Sequence, residues 1–334
     1  MKKMKFAALV VSFAMIIGTG LGCSQNKDEG NLVELNDPVA AAVAYEDGEL
    51  IDLSLAMVPL AAAPAMFNMP MPAATGSVVS KNDKVVVDYS NAKDGYVMIK
   101  YLKNTNKALR VIVKGPSTSY TYNLNSKGEY DVFPLSDGSG SYTVSVFENV
   151  SGNKFATSIS ANINAALTNE FAPFLRPNQY VNYTANSRAV ALANDLTKNA
   201  KNMPDQITAI YNYVVTNISY DQQLAASVQS GYIPNLDAVL ASKKGICFDY
   251  ASLMTAMLRS QGVPTKLVIG YAGKVYHAWI STYSEETGWV ENVIYFDGRN
   301  WNMMDPTFAS TGGQSSQVMQ YIGDGANYTA KHLF

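Results

Sequence analysis

Gly245-Ile246-Cys247-Phe248-Asp249-Tyr250-Ala251-Ser252-Leu253-Met254-Thr255-Ala256-Met257-Leu258-Arg259-Ser260-Gln261-Gly262-Val263-Pro264 is the stretch on which the reading of this chain turns. Tyr250, Leu253, Met254, Met257 and Leu258 recur at the spacing of one helix face, and Gly262 is a natural stop. This reading puts Cys247 at the start of a helix, where unpaired backbone N–H groups favour a thiolate. The field of a helix end contributes only ~0.3–1 kcal/mol, at best about 2. A nucleophilic role therefore needs a second group nearby.

The chain offers two histidines. His332 lies close to the last residue, in a segment expected to fray. His277 lies in the strand-like run Val275-Tyr276-His277-Ala278-Trp279-Ile280, where alternation puts Val275, His277 and Trp279 on one face. An imidazole paired with a thiol is the arrangement of cysteine acyl transfer. A third group must then orient the ring. Asp305, at the end of the run Trp301-Asn302-Met303-Met304-Asp305 and before Pro306, supplies it if that strand pairs antiparallel to the His277 strand. Asp297-Gly298 is a hairpin signal just upstream. Taken singly, each residue has a blander reading: a lone strand histidine is commonly a hydrogen-bonded core residue, and Asp before Pro is commonly a turn former. The weight lies in the combination.

Further upstream, Ala189, Leu192, Ala193 and Leu196 fit one helix face, as do Ile207, Ile210, Tyr211, Val214 and Ile218 after Pro204. Asn235 is placed to cap a short helical turn through Leu240. Residues 82–166 read differently. Val85-Val86-Val87, Tyr96 to Tyr101, Leu109 to Val113, Tyr120 to Leu124, Tyr142 to Phe147 and Phe155 to Ile163 are short β-branched or aromatic runs punctuated by Gly, Asn, Asp and Ser. They predict a small antiparallel sandwich, with the immunoglobulin arrangement as one candidate.

The first residues are an export signal: Lys2, Lys3 and Lys5, then the uncharged apolar run Phe6 to Ile17, then small residues leading to Cys23. Cys23 reads as a lipidated residue like that of bacterial lipoproteins, although Gly20 stands where leucine is usual and Leu21 is one step later. Residues 24–81 read as a tether, Ala/Pro/Met-rich and broken by Pro59, Pro64, Pro70 and Pro72. With Cys23 lipidated, Cys247 is the one remaining cysteine and no intramolecular disulfide forms. Net charge is -2 and no basic run interrupts the body of the chain, which argues against nucleic acid as a partner.

Cysteine, histidine and aspartate follow one another here at intervals of roughly thirty residues. With Lys244-Gly245-Ile246-Cys247-Phe248-Asp249-Tyr250-Ala251, Gly262-Val263-Pro264, Gly270-Tyr271, His277-Ala278-Trp279, Asp305-Pro306-Thr307 and the upstream Ile218-Ser219-Tyr220-Asp221, residues 180–310 resemble the transglutaminase-like superfamily. The resemblance implies an α+β fold, a papain-like core of helices on an antiparallel sheet spanning 167–334 after the sandwich. It implies Cys247 as nucleophile, His277 as general base and acid, and Asp305 as orienter. Tyr220 and Trp279 are candidate oxyanion or substrate contacts. No acidic loop corresponds to the calcium sites of animal members, so no metal or cofactor is implied. The implied partners are an extracellular peptide or protein substrate and a membrane reached through lipid on Cys23. Acyl-enzyme formation is the shared chemistry, resolved by water or by an amine; a non-catalytic surface binding or adhesion protein is the alternative.

Overall fold

The computed structural model describes residues 32–35, 71–284, 288–290, 295–296, 301–302 and 328–334. The expected export signal, Cys23, most of the expected tether and Asp305 lie outside the described residues.

The N-terminal half is built from β1 (Leu32–Glu34), β2 (Val79–Lys81), β3 (Val85–Asp88), β4 (Tyr96–Tyr101), β5 (Leu109–Lys114), β6 (Ser119–Asn123), β7 (Tyr130–Pro134), β8 (Gly140–Ser151) and β9 (Lys154–Ala165). They form two antiparallel sheets, in the orders β2-β3-β4-β7 and β1-β9-β8-β5-β6. Period-two patterning drives their stacking: Val97 and Ile99 of one sheet share a buried core with Val111, Val113, Val144 and Val146 of the other. Within the predicted domain the strand order is immunoglobulin-like: β3, β4 and β7 lie together as strands A, B and E do, and β9, β8 and β5 as G, F and C do, with β6 an added edge strand beside β5.

Two pieces of the expected tether are structured. Leu32–Glu34 pairs with β9 as an edge strand. The segment entering β2 is held on the sandwich, with the Gly76 N–H donating to Asp88 Oδ2 at 2.7 Å and Asn91 Nδ2 donating to the Ala73 carbonyl at 2.8 Å. Hydrogen bonds to the sandwich, which composition does not reveal, hold this proline-rich stretch.

The C-terminal half contains α1 (Arg188–Thr197), α2 (Met203–Asn217), β10 (Ser219–Tyr220), α3 (Gln222–Ser227), α4 (Leu236–Ser242), β11 (Lys244–Gly245), α5 (Cys247–Ser260), β12 (Thr265–Ala272), β13 (Val275–Ser284), β14 (Gly288–Val290), β15 (Tyr295–Phe296), β16 (Trp301–Asn302) and β17 (Tyr328–Leu333). Asn202 caps α2 by accepting from the Asp205 N–H, with Pro204 in the first turn, and Asn235 caps α4 through the Ala238 N–H. The main sheet is antiparallel in the order β14-β13-β12-β17. α5 packs on β12 and β13, with α1, α2 and α4 around its other sides. It is buried along its whole length after Cys247, more than the single apolar face read from periodicity. Ala251, Ser252, Thr255 and Ala256 are small enough to let neighbouring helices close on the remaining faces.

The two halves share one hydrophobic core. Tyr122 of β6 stacks on Tyr180 at 5.7 Å between ring centroids and meets Phe334 edge-on at 5.7 Å; Tyr180 in turn packs on Phe248 at 5.6 Å. A chain of rings thus runs from the sandwich to the residue after Cys247. His332 does not fray. It pairs with Ile269 within β17, and its ring packs 5.6 Å from that of Tyr120. Burial pulls its imidazole down to about 4, so it is neutral at neutral pH.

Arg259, fully buried, closes the far end of α5. Its Nε donates to the Thr265 carbonyl at 2.9 Å, one terminal nitrogen to the Arg176 carbonyl at 2.6 Å, and the other to the Phe334 backbone oxygen at 2.5 Å. Burial lowers the guanidinium to about 10, which leaves it charged at neutral pH. Its planar fork serves three acceptors that no ammonium could reach together. Arg259→Met should therefore strand three buried carbonyls and cost about 3 kcal/mol or more in urea-induced unfolding. Arg259→Lys should recover only part of the loss, and recovery to the wild-type midpoint would refute this role.

Candidate active site

Cys247 is the first residue of α5 and is half-buried. What precedes it sets its position. Ile246 is extended, and β11 pairs in parallel with β10, so that Tyr220 lies opposite Gly245 and the Asp221 N–H donates to the Gly245 carbonyl at 2.9 Å. Tyr220, a candidate contact in the sequence, is thus half-buried on the strand paired two residues before the thiol.

Asp249 holds the helix start and was not identified from sequence. Its carboxyl, wholly buried, accepts from the Ile246 N–H at 2.8 Å and from the Tyr232 hydroxyl at 2.8 Å. Burial raises its pKa above the ordinary carboxylate range, and these two hydrogen bonds pull the other way. An acidic residue three positions after the capping position is the signal that was available, but the usual Ser or Thr partner is replaced by Ile246. Gly245 completes the arrangement: a Cβ there would stand 2.6 Å from the Asp249 Cβ, so the backbone can approach only without a side chain.

His277 lies in β13, 6% exposed, directly across from Gly270 of β12. Its ring is 6.2 Å from that of Trp279, nearly parallel, and 6.2 Å from Tyr328 of β17. Trp279, also a candidate contact in the sequence, is 0% exposed and packs edge-on against Tyr328 at 5.2 Å. It is a prop beneath the imidazole rather than a surface open to a substrate. Gly270 has a physical reason too. A Cβ there would fall 2.0 Å from the Thr329 carbonyl oxygen, at the point where the β12–β17 register shifts.

The four-residue connection after Ser260 makes α5 and β12 antiparallel neighbours. The helix rises about 20 Å from Cys247 to Ser260, and β12 runs about 17 Å from Thr265 to Gly270. The Cys247 end of α5 is thereby level with Gly270 and its partner His277. Asp305 lies outside the described residues. Among the described residues Trp301–Asn302 pairs antiparallel with β15, and β13 pairs with β12 and β14.

These features define a class: an α+β protein with a cysteine on the first turn of a buried helix and a histidine on the antiparallel sheet beneath it. Residues 190–306 match the family model of the transglutaminase-like superfamily. The matched segment contains Cys247, His277 and Asp305. A curated relative, the uncharacterised protein YebA of Bacillus subtilis strain 168, is 29% identical over 122 residues, which span 31% of this chain and 17% of that protein. Among solved structures, a candidate cysteine protease from Cytophaga hutchinsonii is similar over 64% of this chain and 74% of its own, at 17% identity and a TM-score of 0.33. A candidate protease from Parabacteroides distasonis is similar over 62% of each chain, at 12% identity and a TM-score of 0.29. A TGase is similar over 52% of this chain and 44% of its own, at 15% identity and a TM-score of 0.26.

Replacing Asp249 by Ala should leave the Ile246 N–H and the Tyr232 hydroxyl without their partner and cost about 1–2 kcal/mol. Asp249→Asn, which keeps one acceptor, should cost less. Thermal unfolding of the two variants measures this, and equal stability of the Ala variant and the wild type would exclude a capping role.

Proposed function

We propose that the chain is an exported, lipid-anchored cysteine enzyme that forms a thioester acyl-enzyme on peptide or protein amides. The single observation carrying the reading is Cys247 on the first turn of a helix packed on the strand of His277, inside a segment that matches the transglutaminase-like family model.

In this reading His277 takes the thiol proton, and the Cys247 sulfur attacks the substrate carbonyl carbon. The carbonyl π electrons move onto oxygen. The backbone N–H of Cys247, unpaired at the helix start, is one donor to that oxyanion. Tyr220 is the candidate for the other. When the carbonyl re-forms, the C–N bond breaks, and the departing amine takes its proton from His277. Asp305 accepts from the other ring nitrogen and steadies the imidazolium. Water or a second amine, deprotonated by His277, then attacks the thioester, and the thiolate leaves. Water yields a carboxylic acid; an amine yields a new amide. Hydrolysis is the favoured outcome for a protein working in the water-rich space outside the cell.

The test is to incubate purified protein with a peptide library, with and without a labelled primary amine, and to follow both cleavage and label. Turnover should vanish in Cys247→Ala and fall by roughly 10²–10⁴ in His277→Ala. Cleavage identifies a hydrolase, incorporation a transferase, and turnover surviving in Cys247→Ala would sink the mechanism. Anchoring rests on Cys23 after the apolar run Phe6–Ile17; no helix among the described residues is long and apolar enough to cross a membrane. Cells fed radiolabelled palmitate should label the wild-type chain and not Cys23→Ser; equal labelling would rule out lipidation at that residue.

A further inference from the structure

A groove of about 480 Å³ lies where the sandwich meets the C-terminal half. One wall is Tyr130, Asp131 and Val132 of β7; Met98, Asn125, Asn178, Asn182, Tyr183 and Ile233 are among the residues that complete it. Among the described residues no lysine or arginine lines it, and Asp131 is the one carboxyl. Asn178 is 4% exposed; its Oδ1 accepts from the Tyr180 and Val181 amides at 3.0 Å each, and its Nδ2 has no partner. Such a neutral lining, rich in side-chain amides, suits a ligand built of amides and hydroxyls.

β7 is the outermost strand of its sheet among the described residues. The Leu135 N–H donates to the Gly95 carbonyl at 2.9 Å, which sets the phase of the β4–β7 ladder. Pairs alternate along an antiparallel ladder. Phe133 and Asp131 therefore turn their backbone groups toward β4, while Tyr130 and Val132 turn theirs outward. Among the described residues no hydrogen bond engages the Val132 N–H. Pro134, which lacks an N–H, ends the open edge, so the outward ladder is short and has a defined stop.

We propose that this edge captures an extended polypeptide segment, which adds to β7 as a further strand and lays its side chains against the amide-lined wall. The proposal deepens the reading of a polypeptide substrate and rests on it. The placement fits. Ile233 of the groove adjoins Tyr232, whose hydroxyl is bonded to Asp249 beneath Cys247. A segment seated here borders the loop that touches the start of the nucleophile helix. Neutral and small polar side chains are preferred, because nothing cationic in the wall would pair with an acidic segment.

The test uses the full chain with Cys247→Ala, so that binding is read without turnover, and a fluorescein-labelled, uncharged Ser/Thr/Val-rich peptide as an extended probe in fluorescence anisotropy. Adding Val132→Pro removes the outward N–H without touching a bond to β4 and should weaken binding at least five-fold; adding Val132→Thr, which keeps the N–H, should not. The peptide should also slow amide hydrogen exchange at Val132 in the Cys247→Ala protein, a readout that decides the matter if the proline variant misfolds. Equal binding by the two Val132 variants, exchange unchanged by the peptide, or slowing by N-acetylglucosamine oligomers instead would overturn the proposal. Edge-dependent peptide binding by a protein whose wild type turns nothing over would defeat the enzymatic reading and leave this one standing. Turnover indifferent to Val132→Pro, with Val132 exchange unaffected, would do the reverse.

Discussion

A helix with no exposed face cannot leave its terminal polar groups to water, and this requirement on α5 shapes everything around it. At its start, Asp249 reaches back to the Ile246 N–H, and the Tyr250 hydroxyl donates to the Ile218 carbonyl at 2.6 Å. At its end, Arg259 collects three carbonyls from three separate segments. Between these fixed points the helix cannot slide or turn. The same constraint that satisfies buried backbone therefore fixes where Cys247 stands. A reactive residue profits from such a support, because its geometry is set by groups that do not react.

The support extends beyond the catalytic half. Tyr122, Tyr180, Phe334 and Phe248 link the sandwich to the helix start by successive ring contacts, within a core that both halves share. The sandwich is accordingly part of the scaffold of the site as well as a neighbour to it. β7, the outermost strand of its sheet among the described residues, borders the same junction, so the sandwich both braces the nucleophile helix and lines the groove beside it.

Local signals were read well where the physics is local. The period of α5, Pro204 in the first turn of α2, the asparagine cap of α4 and the antiparallel pairing of β15 with β16 all depend on residues within a few positions of one another. Tyr232 and Arg259 went unrecognised for the converse reason. The Arg259 partners Arg176 and Phe334 are 83 and 75 residues away in the chain, and nothing in its neighbourhood announces those bonds. Asp249 was hidden differently, because Ile246 stands where the capping pattern has Ser or Thr. His332 was misjudged on the same ground: a position near the last residue suggests fraying, whereas pairing with β12 and burial against Tyr120 hold it.

Sequence alone determined the elements and the chemistry on offer: a cysteine opening a helix, a histidine within a strand, an aspartate before a proline, and a β-rich half before them. Helix period, strand alternation and turn residues act over a few bonds, so they are written in consecutive letters. Tertiary structure alone decided which strands became neighbours, that β1 and β2 of the expected tether join the sandwich sheets, that Trp279 supports the imidazole from within the core, and that Asp249 and Arg259 hold the ends of α5. Those outcomes follow from burial and hydrogen bonding between distant segments, whose free energies are settled only when the chain is folded.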